Sequence, residues 1–512
     1  MKTPTDTAEN PTQGDRGAAA GIEGRSLPLR VPFPPRSVRA PVALSPETRA
    51  ELRALARLAA PLALASAGQS LMNVVDAAVV GRAGAVPLAG VGLGSLLFFA
   101  ISVGGMGVVM GLDPLVSQSL GAGDGARARH CLWQGAWLSL LIGAVLAVPL
   151  AVVPAVLGPI GIAPDVAAQA SGHLLARIPG LPAFLFFYAA RSYLQGSHAP
   201  RAVLAAAVLG NVVNLLLDLL LVFGGGGLPA WTGPLRSIPA LGAVGSGIAT
   251  TVATWAQALL VAWAAGQVPA GGTWARRPVP AEMRLAVKVG LPIGLHMLAE
   301  VGLFALVGLI AGRLGAVAMA AHQVALSLAS FSFNAAVGIG NAGSVRVGWA
   351  VGAGDTRGAR RAGLSAFGLG ATLMASWGLA FLLFPGLFAR LMSSDPAVVA
   401  ATTPLLAVAG LFQVSDGIQA VGAGVLRGAG DTRFTLWANV IGHWALGFPA
   451  ALGLGLALGW GVTGLWWGLL IGLTAVAIAL FVRFRRIAAQ DIVPLHARAP
   501  SAAPSASSPP PA

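Results

Sequence analysis

Residues 61–86 read PLALASAGQSLMNVVDAAVVGRAGAV, and residues 292–317 read PIGLHMLAEVGLFALVGLIAGRLGAV. Laid over each other at an offset of 231 residues, they pair Pro61 with Pro292, Gly81-Arg82 with Gly312-Arg313, and Gly84-Ala85-Val86 with Gly315-Ala316-Val317. The register holds without a gap to Gly121-Ala122-Gly123-Asp124, which falls on Gly352-Ala353-Gly354-Asp355. A further match, offset by 232, pairs Leu194, Gly196 and Arg201 with Leu426, Gly428 and Arg433. The chain therefore contains one unit twice, over 55–268 and 286–486, joined by a linker over 269–285.

What that unit is follows from composition. Hydrophobic residues make up 56% of the chain and charged ones 10%, and the 69 glycines are spread through apolar segments rather than gathered in linkers. Such a chain is a polytopic helical membrane protein. Apolar runs of about 20 residues, the length a helix needs to cross a bilayer, begin near residues 58, 87, 132, 170, 202, 241, 287, 317, 363, 400, 433 and 462. A lipid-facing barrel would show short strands of alternating polarity instead. The expected fold is all-α, with about twelve transmembrane helices in two six-helix bundles. An even number of spans per repeat gives both bundles the same orientation, related by an axis along the membrane normal. Bundles so arranged enclose a central cleft, and rocking them opens it to either side in turn. No Walker A phosphate loop is present, so the energy source is an ion gradient unless a separate ATPase joins the chain.

The formal net charge of +14 raises the question of nucleic acid, but its distribution answers otherwise. If the chain starts inside, only Arg82, Arg177, Arg236, Arg313 and Arg390 fall on the outer side. The rest of the basic residues lie in or beside inner loops and tails, the positive-inside pattern. Both termini are then cytoplasmic, and no nucleic-acid module is expected. Residues 1–50 and 487–512 read as disordered cytoplasmic tails, polar and rich in Pro, Arg or Ser, and the first lacks the pattern of a secretory signal. The one cysteine, Cys131, excludes an internal disulfide and any multi-cysteine metal site.

Asp76, Asp218, Glu300 and Asp416 each stand alone in an uncharged membrane-length run. A buried acid costs about 2.5–3.5 kcal/mol on insertion scales, so four of them point to use. Gln69, Asn73 and Asp76 share one face of the first span; Asn211, Asn214 and Asp218 share one face of the fifth. The amides supply neutral oxygens beside a carboxylate, which suits a small cation such as Na⁺ or a titrating acid; the alternative is helix-to-helix hydrogen bonding. In the second unit Glu300 follows His296 by one turn, and Asp416 is flanked by Gln413 and Gln419. A proton and an organic cation competing for one such carboxylate is the elementary step of an antiporter. The repeat does not duplicate these acids, because it places Gln69 opposite Glu300 and Val307 opposite Asp76.

Other polar residues read as structural. His296, His322 and His443 are each alone and lack metal-ligand spacing. Asp165 and Asp395, beside Pro164 and Pro396, read as helix N-caps. The Gly-Ala-Gly-Asp turns are tight connectors with a capping Asp. Asp113 reads either as a partner for a loop arginine or as a transport residue, and Arg191 as a loop anchor.

These residues resemble the multidrug and toxic compound extrusion (MATE) family, most closely its NorM-like branch. The resemblance rests on Ala320-Ala321-His322-Gln323-Val324-Ala325-Leu326, Gly338-Ile339-Gly340, Ser344-Val345-Arg346-Val347-Gly348 and Gly352-Ala353-Gly354-Asp355. Leu426-Arg427-Gly428-Ala429-Gly430-Asp431 and Gln118 add to it, and it covers about residues 55–485. It implies a transporter, not an enzyme, that exports cationic or amphipathic compounds in exchange for H⁺ or Na⁺ and needs no cofactor. In the NorM-like pattern the acids matching Glu300 and Asp416 bind cation and drug together with the one matching Asp76. In the DinF-like pattern Asp76, Asp218 and Asn214 form a site in the first unit. The coupling set is therefore Asp76, Asn214, Asp218, Glu300 and Asp416. Na⁺ would sit at Asp76, Asn214 and Asp218 or at Glu300 and Asp416. Gln69, Asn73, Asn211, Glu300, Gln323, Gln413 and Asp416 are the candidate substrate contacts.

Arginine far outnumbers lysine, and Ala and Gly abound, as in a GC-rich bacterial genome, so the expected home is a bacterial inner membrane and the expected state a monomer. A lipid-linked precursor flippase of the same superfamily is the alternative cargo class; it calls for several basic residues in the cleft, whereas the apparent embedded charges are nearly all acidic. A membrane scaffold or the permease of a multi-subunit ATPase is a third reading.

Overall fold

The computed structural model describes residues 45–498 apart from 228, 270–271 and 273–275. It contains 12 helices long and apolar enough to cross a membrane. The first bundle is α1 (Pro46–Gly81), α2 (Ala85–Gly121), α3 (Gly125–Leu157), α4 (Pro164–Gly196), α5 (Pro200–Phe223) and α6 (Gly242–Gln267). The second is α7 (Pro280–Arg313), α8 (Ala316–Gly352), α9 (Thr356–Leu383), α10 (Pro396–Gly428), α11 (Thr432–Ala457) and α12 (Gly461–Ile487). Every expected apolar run becomes one of these helices.

Local chemistry sets the helix ends. Ser45 caps α1 through its hydroxyl, with Pro46 at the first helical position and Glu47 in the first turn. The helix thus begins inside the stretch 1–50 read as tail; the tail's residues 1–44 lie outside the described residues. Asp124 and Asp355 accept from the backbone N–H of Arg127 and Gly358, each at 2.8 Å, after glycines at φ +79° and +71° that no L side chain adopts cheaply. Asp395 caps α10 as expected. Asp165 does not cap α4: the cap position is Ala163, and Asp165 sits inside the first turn. The order Pro-Asp puts the acid after the helix start, whereas Asp-Pro puts it before.

The tail read over 487–512 also begins later than expected. Leu495 is buried, and its N–H donates to Gln118 Oε1 at 2.8 Å, so the chain after α12 folds back under α2. Residues 499–512 lie outside the described residues.

The bundles exchange parts of their first helices. Leu55, Leu58, Ala59 and Leu62 of α1 belong to the core built around α8, α9, α10 and α12. Ala286, Val289 and Ile293 of α7 belong to the core of the first bundle. The contact is backbone on backbone. A Cβ on Gly107 would meet Gly294 Cα at 2.4 Å, and one on Gly338 would meet Ala63 Cβ at 2.6 Å. Those two contacts map onto each other under the 231-residue repeat. So do Gly121 against the Trp349 carbonyl and Gly352 against the Gln118 carbonyl.

This seal lies at the arginine-rich end, where Arg127, Arg346, Arg361 and Arg483 form ion pairs with Glu282, Glu51, Glu47 and Asp431. Among the described residues, no hydrogen bond or ion pair joins the bundles nearer the opposite end than Ser70 to Asn334 at 3.5 Å. The two bundles are sealed against each other at the arginine-rich end.

Helix α11 departs from a plain span. After Asn439 it widens to π-helix over Val440–Gly447 and again over Gly453–Ala457. Pro449 removes a backbone donor in this stretch. Gly442 and Gly447 pack against the Gly472 backbone of α12, where a Cβ on either would collide. Such widened turns recur at functional sites.

Candidate functional site

In the first bundle α1, α5 and α6 bring Asp76, Asn214, Asp218, Thr250 and Ser246 together. Asp76 is 3% exposed, and Asn214 and Asp218 are fully buried. The Asp76 and Asp218 carboxyls are electrostatic neighbours. Thr250 Oγ1 lies 3.3 Å from Asp76 Oδ2 and 3.5 Å from Asn214 Nδ2. Among the described residues five oxygens here have no hydrogen-bond partner: Asp76 Oδ1, both Asp218 oxygens, Asn214 Oδ1 and Ser246 Oγ. Two carboxylates, an amide oxygen and a hydroxyl are hard donors that suit a proton or a hard cation.

The other first-bundle amides part from this cluster. Gln69 donates to Gln257 Oε1 at 3.1 Å. Asn211 donates to the Gly68 and Ala207 carbonyls at 2.9 and 2.8 Å, which is the helix-joining role. Asn73 is exposed, because it stands off the Gln69–Asp76 line by part of a turn. The sequence reading missed a buried stripe on α6, Ser246, Thr250, Thr254 and Gln257. Its i, i+4, i+8, i+11 spacing was available as a signal.

In the second bundle α7, α10 and α11 build a separate cluster. Gln419 Nε2 donates to Glu300 Oε2 at 3.2 Å and to Asn439 Oδ1 at 3.1 Å. Asp416, 5% exposed, faces Glu300 electrostatically. Gln413 is fully buried and accepts from Ser332 Oγ at 3.0 Å. Gln323 is exposed on α8 and stands apart from this cluster.

The histidines divide. His322 accepts from Trp466 Nε1 at 3.1 Å, a helix-joining bond. His296 and His443 are not isolated: they are electrostatic neighbours beside the Glu300 cluster, each buried with one ring nitrogen unpartnered. His443 follows Asn439 in the widened part of α11, and Trp444 donates to the Ala299 carbonyl at 3.2 Å. No group of three or more His, Cys, Asp or Glu fit to hold a metal ion occurs among the described residues.

Two arginines correct the charge map. Arg177, read on the outer side, lies inside α4, and Asp113 pairs with Arg427 near the end of α10, across the bundle boundary, rather than with a loop.

Two repeat-related bundles closed together at one end, each enclosing an acidic cluster at membrane depth, define a membrane transporter. Comparison with known proteins gives the family. The MatE family model matches residues 61–220 and 292–452, the same two units at nearly the same offset. The chain belongs to this family. It is similar to the multidrug resistance protein NorM of Burkholderia vietnamiensis, 37% identical over 443 residues that cover 84% of this chain and 92% of that one. It is also similar to the multidrug resistance protein MdtK of Yersinia pseudotuberculosis, 31% identical over 450 residues, 85% of this chain and 95% of that one. Its fold matches an outward-facing multidrug resistance MATE family transporter of the MOP superfamily, with a TM-score of 0.76 at 20% identity, covering 86% of this chain and 96% of that one. The eukaryotic MATE transporter AtDTX14 matches with a TM-score of 0.74 at 19% identity, covering 86% and 98%.

Proposed function

We propose that this chain is a secondary active exporter that moves cationic or amphipathic small molecules out of the cell in exchange for H⁺ or Na⁺. The observation that carries the reading is the pair of buried acidic clusters, one in each bundle; in the first, Asp76 Oδ1 and both Asp218 oxygens have no hydrogen-bond partner among the described residues. A buried carboxylate lacking a partner is costly in a membrane and is relieved by binding a cation, so ion and cargo compete for it. The names of the relatives, multidrug resistance proteins, agree with such cargo.

The arginine-rich end is cytoplasmic in this reading, by the positive-inside rule, and the membrane is a bacterial inner membrane. The seam between the bundles is then closed on the cytoplasmic side. The protein acts as a monomer, since each chain carries both bundles and both clusters. A flippase of anionic lipid precursors fits less well: Arg427 is paired with Asp113, and Arg177 faces Asp76.

The test is efflux from liposomes holding the purified protein and ethidium, under an imposed Na⁺ gradient or an imposed proton gradient, without ATP. Efflux under one of the two supports the reading and names the ion. Efflux under neither, or only with ATP and a partner protein, overturns it.

A further inference from the structure

Arg177 closes the first helical piece of α4, Pro164–Arg177, about 20 Å along the axis from Pro164 at the rise of an α-helix. The whole helix, Pro164–Gly196, outreaches a hydrocarbon layer about 30 Å thick, and Arg177 stands within the span. A charge at that depth must face the bundle interior or water. Two features hold it there. Its guanidinium carbon lies 3.9 Å from the centroid of the Phe98 ring on α2, a cation–π contact. It also sits in the last turn of the helical piece, where the carbonyl ends favour positive charge.

The main chain breaks directly after it into a tight turn, Ile178–Gly180, and α6 pins the break. Thr251 Oγ1 donates to the Ala176 carbonyl at 2.8 Å and Trp255 Nε1 to the Pro179 carbonyl at 3.1 Å. The residue before Thr251 is Thr250, whose hydroxyl donates to Asp76. One turn of α6 therefore fixes both Asp76 and the backbone carrying Arg177. His173, one turn earlier, is engaged by Ser95 Oγ and the Ala243 carbonyl and forms part of the wall.

Among the described residues no carboxylate forms an ion pair with Arg177. The charge it faces is that of Asp76, and Arg177 is in turn the cation that Asp76 faces. In the second bundle the charged neighbour of Asp416 is Glu300, and among the described residues no ion pair joins either acid to an arginine. The clusters thus differ in charge: the first holds two acids and a fixed cation, the second two acids alone.

We propose that Arg177 is a resident counter-cation of the Asp76–Asp218 pair and a selectivity residue. Its fixed charge weakens the first cluster's hold on a second, mobile cation, so that Na⁺ and cationic cargo are taken by Glu300 and Asp416. This inference rests on the exporter reading and adds a division of labour to it. A unit charge several ångströms away in a partly wet interior changes monovalent cation affinity on the order of ten-fold.

The test is ethidium binding, by fluorescence polarisation, to the full chain in nanodiscs with Glu300→Gln and Asp416→Asn, which leaves the first cluster as the acidic site. Adding Arg177→Gln is expected to tighten binding about ten-fold, and adding Asp76→Asn to abolish that gain. Arg177→Lys should keep the weak binding. Unchanged or weaker binding in a well-folded Arg177→Gln, or the same gain in Arg177→Lys, overturns the inference. Where Arg177→Gln does not fold, Phe98→Leu carries the test by loosening the guanidinium: tighter binding supports the inference and no gain overturns it. The wild type runs alongside in the efflux assay. Efflux in neither gradient removes the exporter reading, whereas wild-type efflux with no Arg177 effect on binding removes this inference alone.

Discussion

Arg427 of α10 reaches across the boundary between the bundles and places its Nε 3.1 Å from Asp113 Oδ2 of α2. Both side chains are nearly buried, at 10% and 6% exposure. Ser192 of α4 donates to the other Asp113 oxygen, and Arg427 also donates to Asn341 at 2.8 Å. Arg191, stacked on Tyr188, is a second cation facing Arg427. The pair therefore ties α2, α4, α8 and α10 together at the closed end, and it must break if the cleft is to open there.

Removing one partner of a buried pair leaves the other charge uncompensated, at a cost of about 3–5 kcal/mol. Arg427→Ala is expected to weaken the closed arrangement by that order. Ser117, buried where Gly348 packs on it, reports the change. In a Cys131→Ala background, a thiol at Ser117→Cys should react with a membrane-impermeant maleimide far faster once Arg427→Ala is added. Equal rates would show that the pair does not hold the end shut.

The glycine seam makes a sharper steric prediction. A Cβ on Gly352 would lie 1.9 Å from the Gln118 carbonyl oxygen, and one on Gly121 2.1 Å from that of Trp349. Gly352→Ala and Gly121→Ala should each cost about 1–3 kcal/mol, as overpacking does, and remove most efflux. Gly312→Ala, where nothing lies within 4 Å, is the matched control. Thermal unfolding and efflux measured together check the contrast, and equal behaviour of the three variants would refute it.

Thr250 joins Asp76 to Asn214 through one hydroxyl. Thr250→Val keeps the shape and removes that link, at about 1.5–3 kcal/mol for a bond to a charged group. Ion-driven efflux should fall roughly ten-fold or more, and Thr250→Ser should restore it. Normal efflux in Thr250→Val would leave the hydroxyl without a part in coupling.

The carboxylates can be ranked by the same assay. Glu300→Gln and Asp416→Asn are expected to abolish ethidium efflux while the protein still folds, since among the described residues neither acid forms an ion pair that holds helices together. Full efflux in both variants would remove the second cluster from the exchange. Asp76→Asn and Asp218→Asn examine the first cluster in the same way.

Much of this was legible in the chain. The offset of 231 residues between PLALASAGQS and PIGLHMLAEV determined the two bundles, their like orientation and even the symmetric seam, because repeated backbone geometry repeats its close approaches. Apolar length determined the twelve spans, since a bilayer core admits few other structures. The isolated acids announced themselves by cost alone.

Only the tertiary structure decided who meets whom. Asp76 finds Thr250 on α6, and Glu300 finds Gln419, which also donates to Asn439, pairings between helices that no periodicity within one helix records. Arg177 stands inside α4 next to the break at Ile178–Gly180, after which the helix continues, a feature that hydropathy averaged over a whole span does not register. Asp113 found its arginine 314 positions away in the other bundle. Which helices touch is set by how two halves pack, and that is a property of the assembled surface, not of any one segment.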